Sequence, residues 1–501
     1  MMDGTAGKHE PGLEPDGEAP LPAVSILAIL PYIMLPMALA VADQTMVSTA
    51  LADIAGALGG VAHISWIIVG NLVAATIAAP VYGQLRDTLG SRRMMLIALA
   101  IYIAASVFCA AAVSLGMLVL GRILQGLGGG GLMTLAQAMI GEAIPPRERA
   151  KYQGYLATVM VTATTVGPVL GGYLTTHFGW RSVFLFNVPL GLLAMLMTLR
   201  IPKRAGSGGS WTFDYRGLAL FIAFIAPLLL ALDAARHLTV QIIPQVLALL
   251  AFAVASLFAL LRQERRALHP LLPLTLLSQR TIWMSDILAA CHGAVLVSLV
   301  TLLPLYLHVM KGATPSETGM LLIPMMFGIG FGAFLTGRLV SRTGRTAIFP
   351  SVGLIVATVL MLIQALGIDH FTRTQLALNL LAGGLAMGTV MSVVQVAVQS
   401  VAGRAALGSA AASIQISRSV GAAIGTALTG AVLFASLQLG HADAAGAFEA
   451  LFQGTGGGGT AALAPEVAAS IAQAFRAAFL TLAAFTALGA IAAWSIPQRR
   501  L

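Results

Sequence analysis

Residues 83–93 read Gly-Gln-Leu-Arg-Asp-Thr-Leu-Gly-Ser-Arg-Arg, a short charged stretch between apolar runs at 63–83 and 94–114. Each run is near the ~20 residues that an α-helix needs to cross the hydrocarbon core of a bilayer. Three arginines and an aspartate are costly inside hydrocarbon, so the stretch reads as a tight turn at the membrane surface. A second version, Gly-Arg-Leu-Val-Ser-Arg-Thr-Gly-Arg at 337–345, closes the run at 318–340, and its first glycine lies 254 residues after Gly83. The pattern thus returns after about half of the 501 residues.

Outward from these two turns the chain is a succession of similar runs. Fourteen occur, at 24–48, 63–83, 94–114, 117–140, 153–175, 182–200, 217–235, 242–261, 282–309, 318–340, 346–367, 375–398, 406–437 and 470–495. Only 9% of residues are charged, 58% are hydrophobic, and mean hydropathy is +0.90. Soluble domains carry about 25% charged residues. This composition excludes a soluble enzyme, a nucleic-acid-binding domain and a secreted disulfide scaffold, and predicts an all-α polytopic membrane protein. Cys109 and Cys291 both fall inside apolar runs, which offers neither an extracellular staple nor a CxxC metal site.

Of the 28 lysines and arginines, twenty-one fall in loops and tails on the side that carries residues 83–93. Five (Arg181, Arg236, Lys311, Arg373 and Arg476) fall on the other side, and Arg122 and Arg418 fall within runs. Cationic loops stay cytoplasmic, so both termini are expected inside, in the plasma (inner) membrane. Removing the seventh and eighth runs leaves six before and six after, the plan of a duplicated transporter. The expected divisions are a disordered cytoplasmic tail at 1–23, a six-helix bundle at 24–201, an inserted helix pair with cytoplasmic linkers at 202–280, and a second six-helix bundle at 281–501. The last contains a long outer loop at 438–469 to which the sequence assigns no task.

Five motifs, residues 83–93 among them, occur in order. Asp43-Gln-Thr-Met-Val is similar to an antiporter D-x-T-x-V motif, and residues 83–93 resemble the loop G-x-L-x-D-x-x-G-R-K. Arg122-Ile-Leu-Gln125-Gly126 resembles R-x-x-Q-G, and Gly167-Pro168-Val-Leu-Gly171-Gly172 matches the exporter signature G-P-x-x-G-G. Trp180-Arg181-Ser-Val-Phe184 with Asn187-Val-Pro189-Leu-Gly191 resembles W-R-x-x-F…N-x-P-x-G. Together they make the chain resemble the 14-spanning drug:proton antiporters of the major facilitator superfamily, from about residue 24 to 435. Departures are Ser91 for a basic residue, Ser341 for the acid of the second loop copy, Ala163 for the first glycine of the exporter signature, and Ala52 for a proline.

The resemblance implies a major-facilitator fold of two six-helix bundles plus two inserted helices, 14 spans in all. It also implies a conformational loop (Gly83, Asp87, Gly90, Arg92) and an exporter hinge (Gly167, Pro168, Gly171, Gly172). Of 19 acidic residues only Asp43 and Asp286 lie well inside runs. A charge there normally faces a partner or a cavity. Asp43 and Arg122 both fall in the outer half by residue count, on the two spans that line the superfamily's cavity. They are expected to pair, the alternative being that Arg122 snorkels to the surface and Asp43 is wetted. A nearby guanidinium favours the carboxylate, while its withdrawal, or drying of the site, favours protonation. Asp286, one turn into its run, is either a second coupling site or a residue that reaches cytoplasmic water. Gln125 and Gln415 are cavity candidates. So is His292, which is expected as a hydrogen-bonded core histidine rather than a ligand. Arg418 requires a buried carbonyl or carboxylate and reads as structural first. Met34, Met37, Met160, Met325, Met326 and Phe327 offer soft apolar surface.

The expected activity is proton-coupled efflux of lipophilic, cationic drugs or toxic compounds by alternating access, without catalysis, cofactor or metal. The alternative is a dedicated exporter of one metabolite or antibiotic. Expected partners are the small-molecule substrate, protons and the lipid bilayer, with a periplasmic adaptor protein in a Gram-negative cell. Neither nucleic acid nor ATP is expected: the glycine tracts at 128–131 and 456–459 lack the lysine of a phosphate loop. A polytopic membrane enzyme is disfavoured, since no catalytic cluster accompanies the membrane charges.

Overall fold

The computed structural model describes residues 26–59, 63–201, 213–235, 242–268, 270–403, 406–441, 443–452 and 463–497. The expected tail at 1–23 and most of the 202–216 linker lie outside them. The elements are α1 (Ile26–Leu58), α2 (Trp66–Leu89), α3 (Ser91–Ala110), α4 (Leu115–Ala143), α5 (Pro146–Phe178), α6 (Arg181–Thr198), α7 (Tyr215–Ala234), α8 (Ile243–Glu264), α9 (Leu274–Leu277), α10 (Arg280–Lys311), α11 (Pro315–Thr343), α12 (Ile348–Gly367), α13 (Arg373–Ala402), α14 (Leu407–Leu439), α15 (Ala444–Phe452) and α16 (Pro465–Trp494). Fourteen of them are long and apolar enough to cross a membrane, and they match the fourteen runs one for one. The chain is a multi-pass membrane protein. Exposed side chains such as Phe252 and Phe258 on α8 and Val169 on α5 give the outer surface the apolar character that lipid requires.

Both charged turns are built alike. Gly90 ends α2 at φ 84° and Gly344 ends α11 at φ 66°, a left-handed backbone that a Cβ would strain. The halves have separate cores. Side chains of α1 to α6 such as Ile33, Leu99, Tyr102 and Leu132 form one. The other joins α10 to α16 around Leu303, Tyr306 and Phe479, with Tyr306 edge-on to Phe475 at 5.3 Å. The two halves touch where α2 meets α14 and α5 meets α11. A Cβ on Gly83 would stand 2.7 Å from the Gly408 carbonyl oxygen, and one on Gly337 would collide with the Ala150 carbonyl oxygen. The two copies of the turn motif thus press their first glycines onto the opposite half in the same way. These contacts, with Gly154 against Ala333, lie toward the arginine-rich face, the one that carries residues 83–93.

The inserted pair is asymmetric. α7 lies along the α2–α14 seam, with Phe221, Ile225 and Leu229 against Val73, Ile77, Ile416 and Val420. Asp214 caps it, accepting from Gly217 N at 2.8 Å. At the face opposite the arginine-rich one, Arg476 binds Asp369 at 2.7 Å, Lys311 donates to the Asp369 carbonyl and Arg373 pairs with Glu317. The expected loop at 438–469 needs correcting, because it contains helix α15. Its buried Ala444, Phe448 and Leu451 follow a helical period too short to stand out in the sequence. Phe448 packs against Phe434 at 5.8 Å and Phe475 at 6.1 Å.

Candidate functional site: the cavity between the bundles

Among the glycines of helix α4, Gly126, Gly128 and Gly130 each admit a neighbour. A Cβ on Gly126 or Gly130 would enter the α2 backbone at Asn71 or Ala75, and one on Gly128 would stand 2.8 Å from Tyr102 of α3. Packed this closely, α4 turns Arg122 and Gln125, one turn apart, toward α1. From the other side α5 presses on α1: a Cβ on Gly167 would strike Thr45, and one on Gly171 would lie 2.6 Å from the Met46 carbonyl oxygen. Asp43 is the acid held between them.

The result is a dry polar cluster. Arg122 Nη1 donates to Asp43 Oδ2 at 2.5 Å and to Gln125 Oε1 at 2.6 Å. Asp43 Oδ1 accepts from Asn187 Nδ2 at 2.6 Å and Gln125 Nε2 at 3.1 Å, and Gln125 Nε2 also donates to Ser106 Oγ at 3.0 Å. Asn71 donates to the Arg122 carbonyl at 3.1 Å, and the guanidinium lies 5.9 Å from the Phe184 ring. Asp43 and Arg122 are each 1% exposed, which excludes the snorkelling alternative. Such an ion pair is tolerated only when further hydrogen bonds meet its remaining groups, and here they do. Asn187 belonged to a recognised motif but had no role read from it. Its signal was an amide inside an apolar run, which must find a partner. Ser106 and Asn71 carried no comparable motif.

Asp43 and Gln125 open onto a cavity of about 350 Å³ between the halves. Gln415 and His292 line it too, so all three cavity candidates are brought together. Its walls include Met133, Met160, Met326, Met387 and Met391, with Gln153 and Gln395 among its polar groups. Met325 lines a separate small void, Met37 is in the N-terminal core, and Phe327 is exposed and stacks on Phe331. Arg418 also faces the cavity. Its partner is the Gln415 side-chain oxygen at 3.1 Å, and no carboxylate among the described residues pairs with it. His292 is buried, with its ring beside the Met387 backbone. Asp286 does not join the cavity; it faces Ser413 and Ser417 of α14.

The turn motif is partly redrawn. The Asp87 side chain lies outside the described residues, and Arg92 is half-buried with Arg93 exposed beside it. The network at this end is Arg86, Ser91 and Glu142. Arg86 binds Glu142 at 3.0 Å and Ser91 Oγ at 2.9 Å, and Ser91 donates to Glu142 at 2.6 Å. Ser91, a departure from the motif, therefore bridges the pair. In the exporter signature, α5 stays helical through Pro168, and Gly172 faces open space rather than a neighbouring helix. Gly167→Ala is accordingly expected to cost about 1–3 kcal/mol by overpacking against α1. Gly172→Ala should shift stability by about 0.5 kcal/mol or less. Thermal midpoints of the two purified variants check this, and equal shifts would refute the asymmetry.

Residues 33–426 match the Major Facilitator Superfamily. The chain belongs to that superfamily. Among curated relatives in the superfamily, the multidrug transporter protein MdtP of Bacillus subtilis is 31% identical over 350 residues, 70% of this chain and 64% of that protein. The MFS-type transporter of the acurin A biosynthesis cluster of Aspergillus aculeatus is 30% identical over 329 residues, 63% of this chain and 58% of that protein. The chain thus spans less than two thirds of the length of either. A solved superfamily structure, the proton:xylose symporter XylE bound to 6-bromo-6-deoxy-D-glucose, superposes with TM-score 0.61 at 14% identity, covering 94% of this chain and 96% of that one. At that identity the likeness concerns the fold.

Proposed function

We propose that the chain exports lipophilic compounds from the cytoplasm in exchange for protons, by alternating access. The observation that carries this reading is Asp43. Among the described residues it is the one carboxylate lining the cavity, and it sits in a buried cluster with Arg122, Gln125 and Asn187. Protonation removes the charge that holds Arg122. The freed guanidinium and the relaxed contacts of α1 with α4 and α6 then bias the two halves toward one of two packings. The lysine and arginine bias supports the arginine-rich face as cytoplasmic, with both termini inside the plasma (inner) membrane. On that reading the close contacts of Gly83 and Gly337 close the cytoplasmic side. In a Gram-negative cell a periplasmic adaptor would carry the compound onward.

Cationic cargo was expected because a cation could take the proton's place on Asp43. Both oxygens of Asp43 are already engaged by three donors, so a cation would first have to displace Arg122. A broad substrate range is supported by the adaptable methionine lining and by MdtP's description as a multidrug transporter. A dedicated exporter of one metabolite is supported by the acurin A cluster relative.

Everted vesicles from cells expressing the chain separate the two. With an inward-acid gradient, several unrelated lipophilic dyes are expected to accumulate several-fold, and a protonophore should collapse the accumulation. Accumulation of one compound only would favour the dedicated exporter. Accumulation of dyes unaffected by the protonophore would remove the proton from the mechanism.

A further inference from the structure

Among the described residues the charges lining the cavity are Asp43 and Arg418, and they are not alike. Asp43 is already neutralised by Arg122, which stands behind it, away from the cavity. Among the described residues Arg418 has only the Gln415 amide for a partner. The cavity therefore presents an uncompensated cation to whatever occupies it. Arg418 is part-buried; withdrawing a guanidinium from water without a counter-charge is costly, and the cost falls when a ligand brings the missing anion. Another group of the same lining points the same way. Gln153 is 3% exposed with Nε2 unpartnered, and His292, also 3% exposed, stands with its ring beside the Met387 backbone. An amide has two N–H to give, so Gln153 can donate to an acidic head group. The remaining surface, Met133, Met160, Leu296 and Met391 among it, suits an apolar body.

We infer that the substrate of this cavity is an amphipathic organic anion, with a carboxylate, sulfonate or phosphate head on Arg418 and an apolar body against the methionine wall. This rests on the transport reading above and replaces its cationic cargo. A guanidinium meets such a head group with two parallel charge-assisted N–H donors, a pairing that a neutral head matches only more weakly and a cationic head cannot make. Arg418 is held for this by its own helix. Gly293 of α10 admits the Arg418 backbone, which fixes α14 against α10 at this level and leaves the side chain to the cavity.

The test uses the purified full-length chain in phosphatidylcholine vesicles and three radiolabelled naphthalene probes that differ in head group: sulfonate, sulfonamide and trimethylammonium. A charge-assisted pair of bonds predicts that the sulfonate binds about tenfold or more tighter than either of the others. Arg418→Gln should bring the sulfonate-to-sulfonamide affinity ratio close to one. Gln415→Glu keeps Arg418 but puts a carboxylate where its amide partner stands, so the same collapse is expected without loss of the arginine. Equal affinity for all three heads, or an unchanged ratio in both variants, overturns the proposal. Displacement of the sulfonate by added phosphatidylglycerol would assign the site to a lipid head group and overturn its role in carrying a soluble substrate. Transport is read separately. Gradient-driven movement of the sulfonamide with no preference for the sulfonate would sink the anion site and leave proton-coupled export standing. An Arg418-dependent preference without gradient-driven movement of any probe would support the anion site and sink the coupling.

Discussion

Asp43→Asn is expected to reduce gradient-driven efflux to background and to lower stability by about 3–5 kcal/mol, the usual cost of leaving one member of a buried ion pair unmatched. Asparagine keeps the size of the side chain, but Arg122 then sits 1% exposed with a buried charge and no counter-ion. The neighbours cannot compensate, because Gln125, Asn187 and Asn71 are neutral amides. Loss of transport alone would therefore not separate a coupling role from a structural one. The double variant Asp43→Asn with Arg122→Gln does so. It removes both charges, leaves amides able to hydrogen-bond to one another, and is expected to recover most of the lost stability. Its efflux should stay at background, since no carboxylate among the described residues remains at that end of the cavity. Thermal midpoints in detergent and dye efflux from everted vesicles are the two readings required. Gradient-driven efflux in either variant would remove Asp43 from the coupling.

Much of this site is legible in the sequence because charges in hydrocarbon are rare. Asp43 and Arg122 stood out as an acid and a base at similar depth in two apolar runs, and they meet at 2.5 Å. Depth in a run is a one-dimensional quantity, however, and it does not say which way a side chain points. Asp286 lies at a comparable distance into its run and turns instead to Ser413 and Ser417 of α14. The same limit applies to Gly172, the neighbour of Gly171: one helical position apart, the first faces open space and the second α1. Polar residues without charge were harder still. Asn187 and Ser106 complete the cluster through bonds to helices distant in sequence, and only the folded arrangement selects them from other amides and hydroxyls. The alternate glycines of α4 gave a signal that could have been used. Gly126 and Gly130 are one turn apart and make a small-xxx-small face, as Gly167 and Gly171 do on α5.

Gly83→Val should hold the halves apart at the arginine-rich face. The carbonyl oxygen of Gly408 stands 2.7 Å from where the first added carbon would be, and that oxygen belongs to helix backbone, which cannot swing aside like a side chain. Overpacking of this kind costs about 1–3 kcal/mol. Here the cost is borne only by the packing in which α2 meets α14, so it appears as a shift of population rather than as unfolding. A shift of about 1.4 kcal/mol is tenfold in the ratio of the two states. Gln399 reports it. This residue is buried just beneath the seam and donates to the Gln137 carbonyl at 3.0 Å across the halves. A cysteine placed there should be slow to react with a thiol reagent added from the arginine-rich side, and several-fold faster once Gly83→Val is introduced. The native Cys109 and Cys291 are buried and give little background. The repeat adds a stronger requirement. Gly337 presses on Ala150 across the second seam as Gly83 presses on Gly408 across the first. If the halves part as rigid bodies, Gly337→Val alone should expose the same cysteine, and the two variants together should do little more than either. Unchanged labelling in Gly83→Val, or fully additive effects of the pair, would show that the seams open independently.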